Sequence, residues 1–408
     1  MLLRNAWLPL GVALVLAGLV GGAGAVVGLG VFLLLAGALA RTWAARSLDS
    51  VTFERRLTER RAFPDDTIHV RYRLTNRKAM PLPFLELHDQ LPEALCPAEL
   101  DLTPSPATGA ALYKHATHLR WYERVTWSID LQCPTRGYFS LGPARLHSGD
   151  GFGLFANDRA EPATDGVVVY PRTVPLADLG LPSARPLGER KGRQRIFEDP
   201  LRFAGVRDYQ PGDAIRRIDW KATARRGALQ SRVYEPSTTQ HLLVALNIDT
   251  LTQPWQGYVP ELLEANIVVT ASLARWAHDE RYAVGLLANG SLPESDRPIN
   301  IAPGRAPDQL VRILEALGGI GPMTMTSLAG LLEEEGHRLP FGVTIAAVSA
   351  QMPEPLAAAL RRLHESGHHV TVLTIVNDDW SSIMGDVPVQ RIDRRAFQPP
   401  RPQAAAPA

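Results

Sequence analysis

From Ala6 to Ala40 the chain reads AWLPLGVALVLAGLVGGAGAVVGLGVFLLLAGALA, without one charged residue. This run constrains the fold most, because backbone in hydrocarbon must close its hydrogen bonds within helices or a closed barrel. A bilayer core takes about 20 helical residues, so the run is long for one span and slightly short for two. The cluster Gly21-Gly22-Ala23-Gly24 at its midpoint suits a tight turn between two helices. Arg4 precedes the run, and Arg41 and Arg46 follow it. Positive charge at both ends predicts a hairpin with both termini cytoplasmic. A cleaved signal peptide would have a shorter apolar core followed by a small-residue cleavage site. The expectation is a two-span membrane hairpin over residues 1–48. It would anchor a cytoplasmic body at the cell membrane.

The remainder is long enough for two or three cores at 45% hydrophobic composition. Residues 49–172 look like short strands. In TIHVRYRLTN, Ile68, Val70, Tyr72 and Leu74 alternate with His69, Arg71, Arg73 and Thr75, the period of a half-buried strand. Several such runs separated by Pro, Asn and Gly predict a small β-sandwich. Residues 173–240 form a Pro- and Arg-rich connector that reads as loosely packed. From His241 to residue 394 the pattern becomes strand–helix alternation, beginning with the fully apolar HLLVAL, and predicts a parallel sheet covered by helices. The Pro- and Ala-rich tail 395–408 is expected to be disordered. Cys96 and Cys133, the only cysteines, make no disulfide framework and are expected to be reduced.

Formal net charge is only +1, which speaks against a dedicated nucleic-acid binder. Between Arg185 and Arg232, however, 13 Lys/Arg face 6 Asp/Glu, a local excess of 7. Such a block is a solvated surface or a patch for an acidic partner.

Candidate chemistry is sparse. HESGH, His364 to His368, has the H-E-x-x-H spacing of zinc peptidases, with Glu365 as the general base. That chemistry needs both histidines on one face of a continuing helix, and Gly367 stands where the helical pattern stops. His115 and His118 lie in a strand-like stretch and read as a solvated face. No G-x-x-x-x-G-K-[ST] loop and no G-x-S-x-G elbow is present. Asp249 ends the first apolar strand, at the edge where open α/β sheets bind ligands. A metal-binding version of this edge reads Asp-x-Ser-x-Ser. Here Leu251 and Gln253 replace the two hydroxyl ligands, so Mg²⁺ is not expected and no other cofactor is implied.

The stretch GVRDYQPGDAIRRIDWKATAR runs from Gly205 to Arg225. Pro211-Gly212 suits a turn, Asp213 and Asp219 can cap short helices, and Gly227 can close the second. Arg207, Arg216 and Arg225 have Asp208, Asp213 and Asp219 within reach for ion pairs, while Tyr209 and Trp220 supply aromatic anchors. With no nucleophile pair, the stretch reads as a braced joint that presents part of a partner surface.

Gly205, Arg207-Asp208-Tyr209, Pro211-Gly212-Asp213, Arg216, Ile218-Asp219-Trp220 and Ala224-Arg225 together resemble the signature of the domain of unknown function 58 (DUF58) family. The stretch from Arg136 to Phe155 and the YEP at Tyr234 resemble flanking elements of the same proteins, although Ser237 departs from an expected acidic residue. The resemblance implies a von Willebrand factor type A-like (Rossmann-like) domain over residues 241–394. It further implies a non-enzymatic membrane adaptor or scaffold that works with a MoxR-type AAA+ ATPase in protein assembly or maturation. The rival readings are a membrane zinc peptidase using His364, Glu365 and His368, and nucleic-acid or anionic-surface binding through the basic connector.

Overall fold

The computed structural model describes all residues except 1, 182–186, 188–196, 211–217, 238–239, 254–255, 294, 341, 394–396 and 398–408; at 2–5, 197–204 and 233–237 only the backbone is described. Pro211, Gly212, Asp213 and Arg216 of the signature, and the tail apart from Phe397, lie outside the described residues. The chain divides into two compact units, Met1–Arg172 with Leu317–Gly319, and Thr173–Ala316 with Ile320–Ala408.

The first unit opens with helices α1 (Leu2–Val20) and α2 (Gly24–Arg46), joined by a turn in which Gly22 takes φ +62°. They run antiparallel on a glycine seam. Gly11 and Gly18 on α1, and Gly30 and Gly37 on α2, are each seven residues apart and so share a face. A Cβ at Gly18 would sit 2.7 Å from the Val27 nitrogen, and one at Gly30 2.8 Å from that of Val15. Backbone contact through small residues is how helices associate where lipid removes the hydrophobic drive. α2 is long and apolar enough to cross a membrane, whereas α1 supplies a shorter apolar stretch, Ala6–Val20.

Strands β1 (Val51–Leu57), β2 (Arg61–Ala62), β3 (Thr67–Asn76), β4 (Leu82–Pro92), β5 (Leu102–Pro104), β6 (Ala110–Leu119), β7 (Arg124–Gln132), β8 (Gly137–Leu141), β9 (Ala144–Gly149), β10 (Ala156–Glu161) and β11 (Asp165–Val169) follow. They form three sheets, ordered β1-β3-β7, β10-β9-β4-β6-β5 and β2-β11-β8, around one core. Ile68, Val70, Tyr72 and Leu74 of β3 all point into it. The core also encloses an ion pair: Arg55 reaches Asp89 at 2.7 Å and Asp165 at 3.0 Å, and the Tyr72 hydroxyl donates to Asp89 at 2.8 Å. Burial pushes the Asp89 carboxyl up, against the pull of Arg55 and of the Tyr72 hydroxyl. His115 stacks on Trp127 with ring centroids 4.1 Å apart, as part of this surface, and burial lowers its pKa.

The junction of α2 with β1 is held by side chains of the sandwich. The Lys78 ammonium donates to the carbonyls of Arg46 (2.8 Å), Ser47 and Asp49 (2.6 Å), three acceptors at and beyond the helix end. Arg159 donates to the carbonyls of Leu48 and Val51, both at 2.7 Å, and Asn157 to that of Ala45 at 3.2 Å. Terminal helix carbonyls have no partner within the helix, and here the β-sandwich provides them.

The second unit begins with a two-stranded ribbon, β12 (Phe197–Asp208) and β13 (Gln230–Ser237), with α3 (Trp220–Arg226) between them. Within the connector, Phe197–Asp208 and Gln230–Ser237 pair as strands and Trp220–Arg226 is helical; cross-strand pairing is a non-local feature that Pro and Arg content does not report. Next come β14 (His241–Leu246), α4 (Pro260–Asp279), β15 (Ala283–Ser291), β16 (Pro298–Gly304), α5 (Gln309–Gly319), α6 (Leu328–Gly336), β17 (Thr344–Val348), α7 (Glu354–Glu365), β18 (His369–Thr374), α8 (Ser381–Met384) and β19 (Val389–Arg391). The sheet order is β16-β15-β14-β17-β18-β19, parallel except for the β16 edge. The chain leaves β14 toward β15 and returns from β16 to β17 on its other side, a reversal of strand order of the kind that opens a crevice at the carboxyl edge.

Candidate functional site

Two places gather polar side chains that sequence reasoning singled out. The first is the signature ribbon. Asp219 caps α3: its carboxylate accepts from the Ala222 amide at 3.0 Å, and Gly227 closes the helix at φ +69°. The same carboxylate accepts from Arg232 of β13 at 3.1 Å. The Ala222 amide first, and the Arg232 guanidinium second, hold Asp219 below the usual carboxylate range. Asp208 accepts from Gln230 Nε2 at 2.7 Å and lies 3.8 Å from Arg226. Gln230 is fully buried and also takes part through its amide, which donates to Thr223 Oγ1 at 3.0 Å.

Of the expected ion-pair partners, Asp213 and Arg216 lie outside the described residues. Asp219 pairs with Arg232, and Arg207 donates to the Asp208 carbonyl at 3.2 Å. Arg225 is exposed and makes no ion pair among the described residues. Tyr209 is half-buried, and its amide donates to the Leu229 carbonyl at 2.9 Å. Trp220 is 65% exposed. Gln230 and Arg232 were invisible in the signature because strand pairing, not sequence proximity, brings them to Asp208 and Asp219.

The second place is the carboxyl edge of the α/β sheet. Asp249 sits three residues beyond β14. Its carboxylate accepts from the Thr324 hydroxyl and from Asn289 Nδ2, the latter at 2.9 Å. The same Asn289 amide donates to Asn247 Oδ1 at 3.0 Å, Asn247 donates to Ser349 Oγ at 3.0 Å, and the Ile248 amide donates to Asn289 Oδ1 at 2.8 Å. Asn247, Asn289 and Ser349 are buried at the ends of β14, β15 and β17. The topology, rather than any spacing, assembles this cluster. A hard cation needs several oxygen ligands. Here each carboxylate oxygen takes one side-chain donor, and Leu251 and Gln253 supply no hydroxyl.

The H-E-x-x-H histidines are separated by a helix terminus. α7 stops at Glu365, Gly367 takes φ +94°, the Gly367 amide donates to the His364 carbonyl at 3.0 Å and the His368 amide to the Leu363 carbonyl at 3.1 Å. This paired closure ends the helix, so His364 and His368 do not share a helical face.

Residues 205–394 match a family model described as "Protein of unknown function DUF58". The uncharacterized protein YeaD of Bacillus subtilis (strain 168) is 25% identical over 268 residues, 64% of this chain and 60% of that protein's length. Among solved structures, the CARDB domain of a Pyrococcus furiosus protein covers 29% of this chain and 86% of its own at 11% identity, with a TM-score of 0.21. The sporulation control protein Spo0M of Bacillus subtilis covers 29% of this chain and 49% of its own at 10% identity, with a TM-score of 0.19. Overlaps that small inform neither fold nor function. Residues 205–394 are thus similar to the DUF58 family, and the YeaD match spans 60% of that relative's own length.

Proposed function

We propose that the protein is a membrane-anchored, non-enzymatic adaptor whose cytoplasmic body presents the signature ribbon to a MoxR-type AAA+ ATPase. The observation that carries this reading is the exposed Trp220 on a helix fixed at both ends, with exposed Lys221, Arg225 and Leu229 beside it. Trp and Arg are the residues that most often anchor protein interfaces, and a capped helix loses little freedom when it binds. The α/β unit is read as von Willebrand factor A-like, with a carboxyl edge whose polar groups are engaged with one another. α1 and α2 are read as two spans. Their 19 and 23 residues extend roughly 28 and 34 Å at the helical rise, close to the thickness of a hydrocarbon core.

Pull-down from membranes with the full chain as bait tests the reading. Wild type should recover an AAA+ ATPase, whereas Trp220→Ala and Arg225→Glu, with unchanged circular dichroism and melting, should recover several-fold less. Equal recovery by all three would confine the ribbon to a structural role.

A further inference from the structure

Strand register places three loops at the end of the sandwich from which α2 emerges. Val51 lies opposite Asn76, Leu82 opposite Leu119, and Leu85 opposite Ser148, so residues 76–82, 119–124 and 149–156 turn at the same end as the β1 start. Lys78 of the first loop, and Asn157 on β10 one residue past the third, donate to carbonyls of the anchor, and the Tyr122 amide donates to the Lys78 carbonyl at 3.2 Å. Phe155 meets Trp7 of α1 edge-to-face, with centroids 6.0 Å apart.

The loops expose what soluble loops ordinarily hide. Trp121 is 66% exposed, Tyr122 70% and Phe152 81%, and Leu154 is exposed as well. Tyr122 holds φ +53°, a conformation that is costly for a bulky residue and that fixes the tip. Arg41, Arg46, Arg77, Arg120 and Arg124 are exposed around the same end, against Asp49 and Glu123. Aromatic rings mixed with arginines, continuous with the apolar surface of a membrane helix, match the layer where Trp and Tyr settle and where basic residues meet anionic lipid.

We propose that this rim is seated in the headgroup layer of an anionic bilayer, so that the sandwich lies on the membrane instead of standing off it. The inference rests on the membrane-anchor reading of α1 and α2. A soluble partner protein would also accept aromatics and arginines, but the rim surrounds the helix exit, which a bilayer occupies once α2 is inserted.

The test uses the full chain in vesicles of phosphatidylcholine and phosphatidylglycerol carrying a nitroxide at the top of the acyl chain. An environment-sensitive fluorophore is placed on Trp121→Cys, Phe152→Cys, Thr108→Cys at the opposite end of the sandwich, or Phe32→Cys on the exposed face of α2. Burial pushes the Cys96 and Cys133 thiols up to about 11, so they compete poorly for label at neutral pH. Labels at 121 and 152 should be quenched several-fold more than at 108, and less so when phosphatidylglycerol is omitted. Quenching at 32 with none above the Thr108→Cys level at 121 and 152 would overturn the rim proposal alone. No quenching at 32 would overturn the membrane-anchor reading and the rim proposal with it.

Discussion

Asp219 serves two partners: the amide at the head of α3 and the Arg232 guanidinium on β13. Because these interactions depress its pKa in the folded protein, the stabilisation they give is fully present above the ordinary carboxylate value of 3.8 and is lost as pH falls through the lower folded value. Hydrogen exchange should report this locally. The Thr223 amide, which bonds the Asp219 carbonyl at 2.9 Å, should lose protection several-fold on acidification in wild type. In Asp219→Asn, protection should be lower near neutrality and independent of pH over that range. A wild-type protection factor that stays flat through the same range would show that the carboxylate does not brace α3. The site was legible at this scale only in part. Asp219 announced itself as a cap because capping is local, whereas Gln230, Asn289 and Thr324 occupy ordinary sequence surroundings and become partners of the acids only through strand pairing and loop return.

Elements with strong periodicity were the readable ones. β3 alternates as its sequence does, and β14, α4, β15, β17, α7 and β18 follow the apolar runs and amphipathic stretches that predict them. The antiparallel edge β16 and the β12–β13 ribbon were not readable, because their strands carry mixed polarity and are defined by what they pair with. The α1–α2 seam lies between these cases: the glycines were visible, but their contact geometry was not. That geometry makes a specific prediction. Gly18→Ile must displace the Val27 backbone, while Gly28→Ile meets nothing within 4 Å. In detergent, the first should lower the melting temperature by several degrees and the second should leave it unchanged. Equal effects would mean that the two helices do not associate through this face.

At the scale of the whole molecule, the proposed topology puts both chain ends and both units on one side of the membrane. Protease added to sealed inverted vesicles should then digest the chain beyond Leu48, and a protected body would reverse the orientation. The junction held by Lys78 gives that arrangement a mechanical character. A helix that ended in a flexible linker would let a body swing, and a pull on it would first take up slack. Here, three carbonyls around the helix end are gripped by one ammonium and two more by one guanidinium. In the proposed topology, load applied to the sandwich would reach α2 as torque, and any machine working on the body would tilt the anchor in its bilayer.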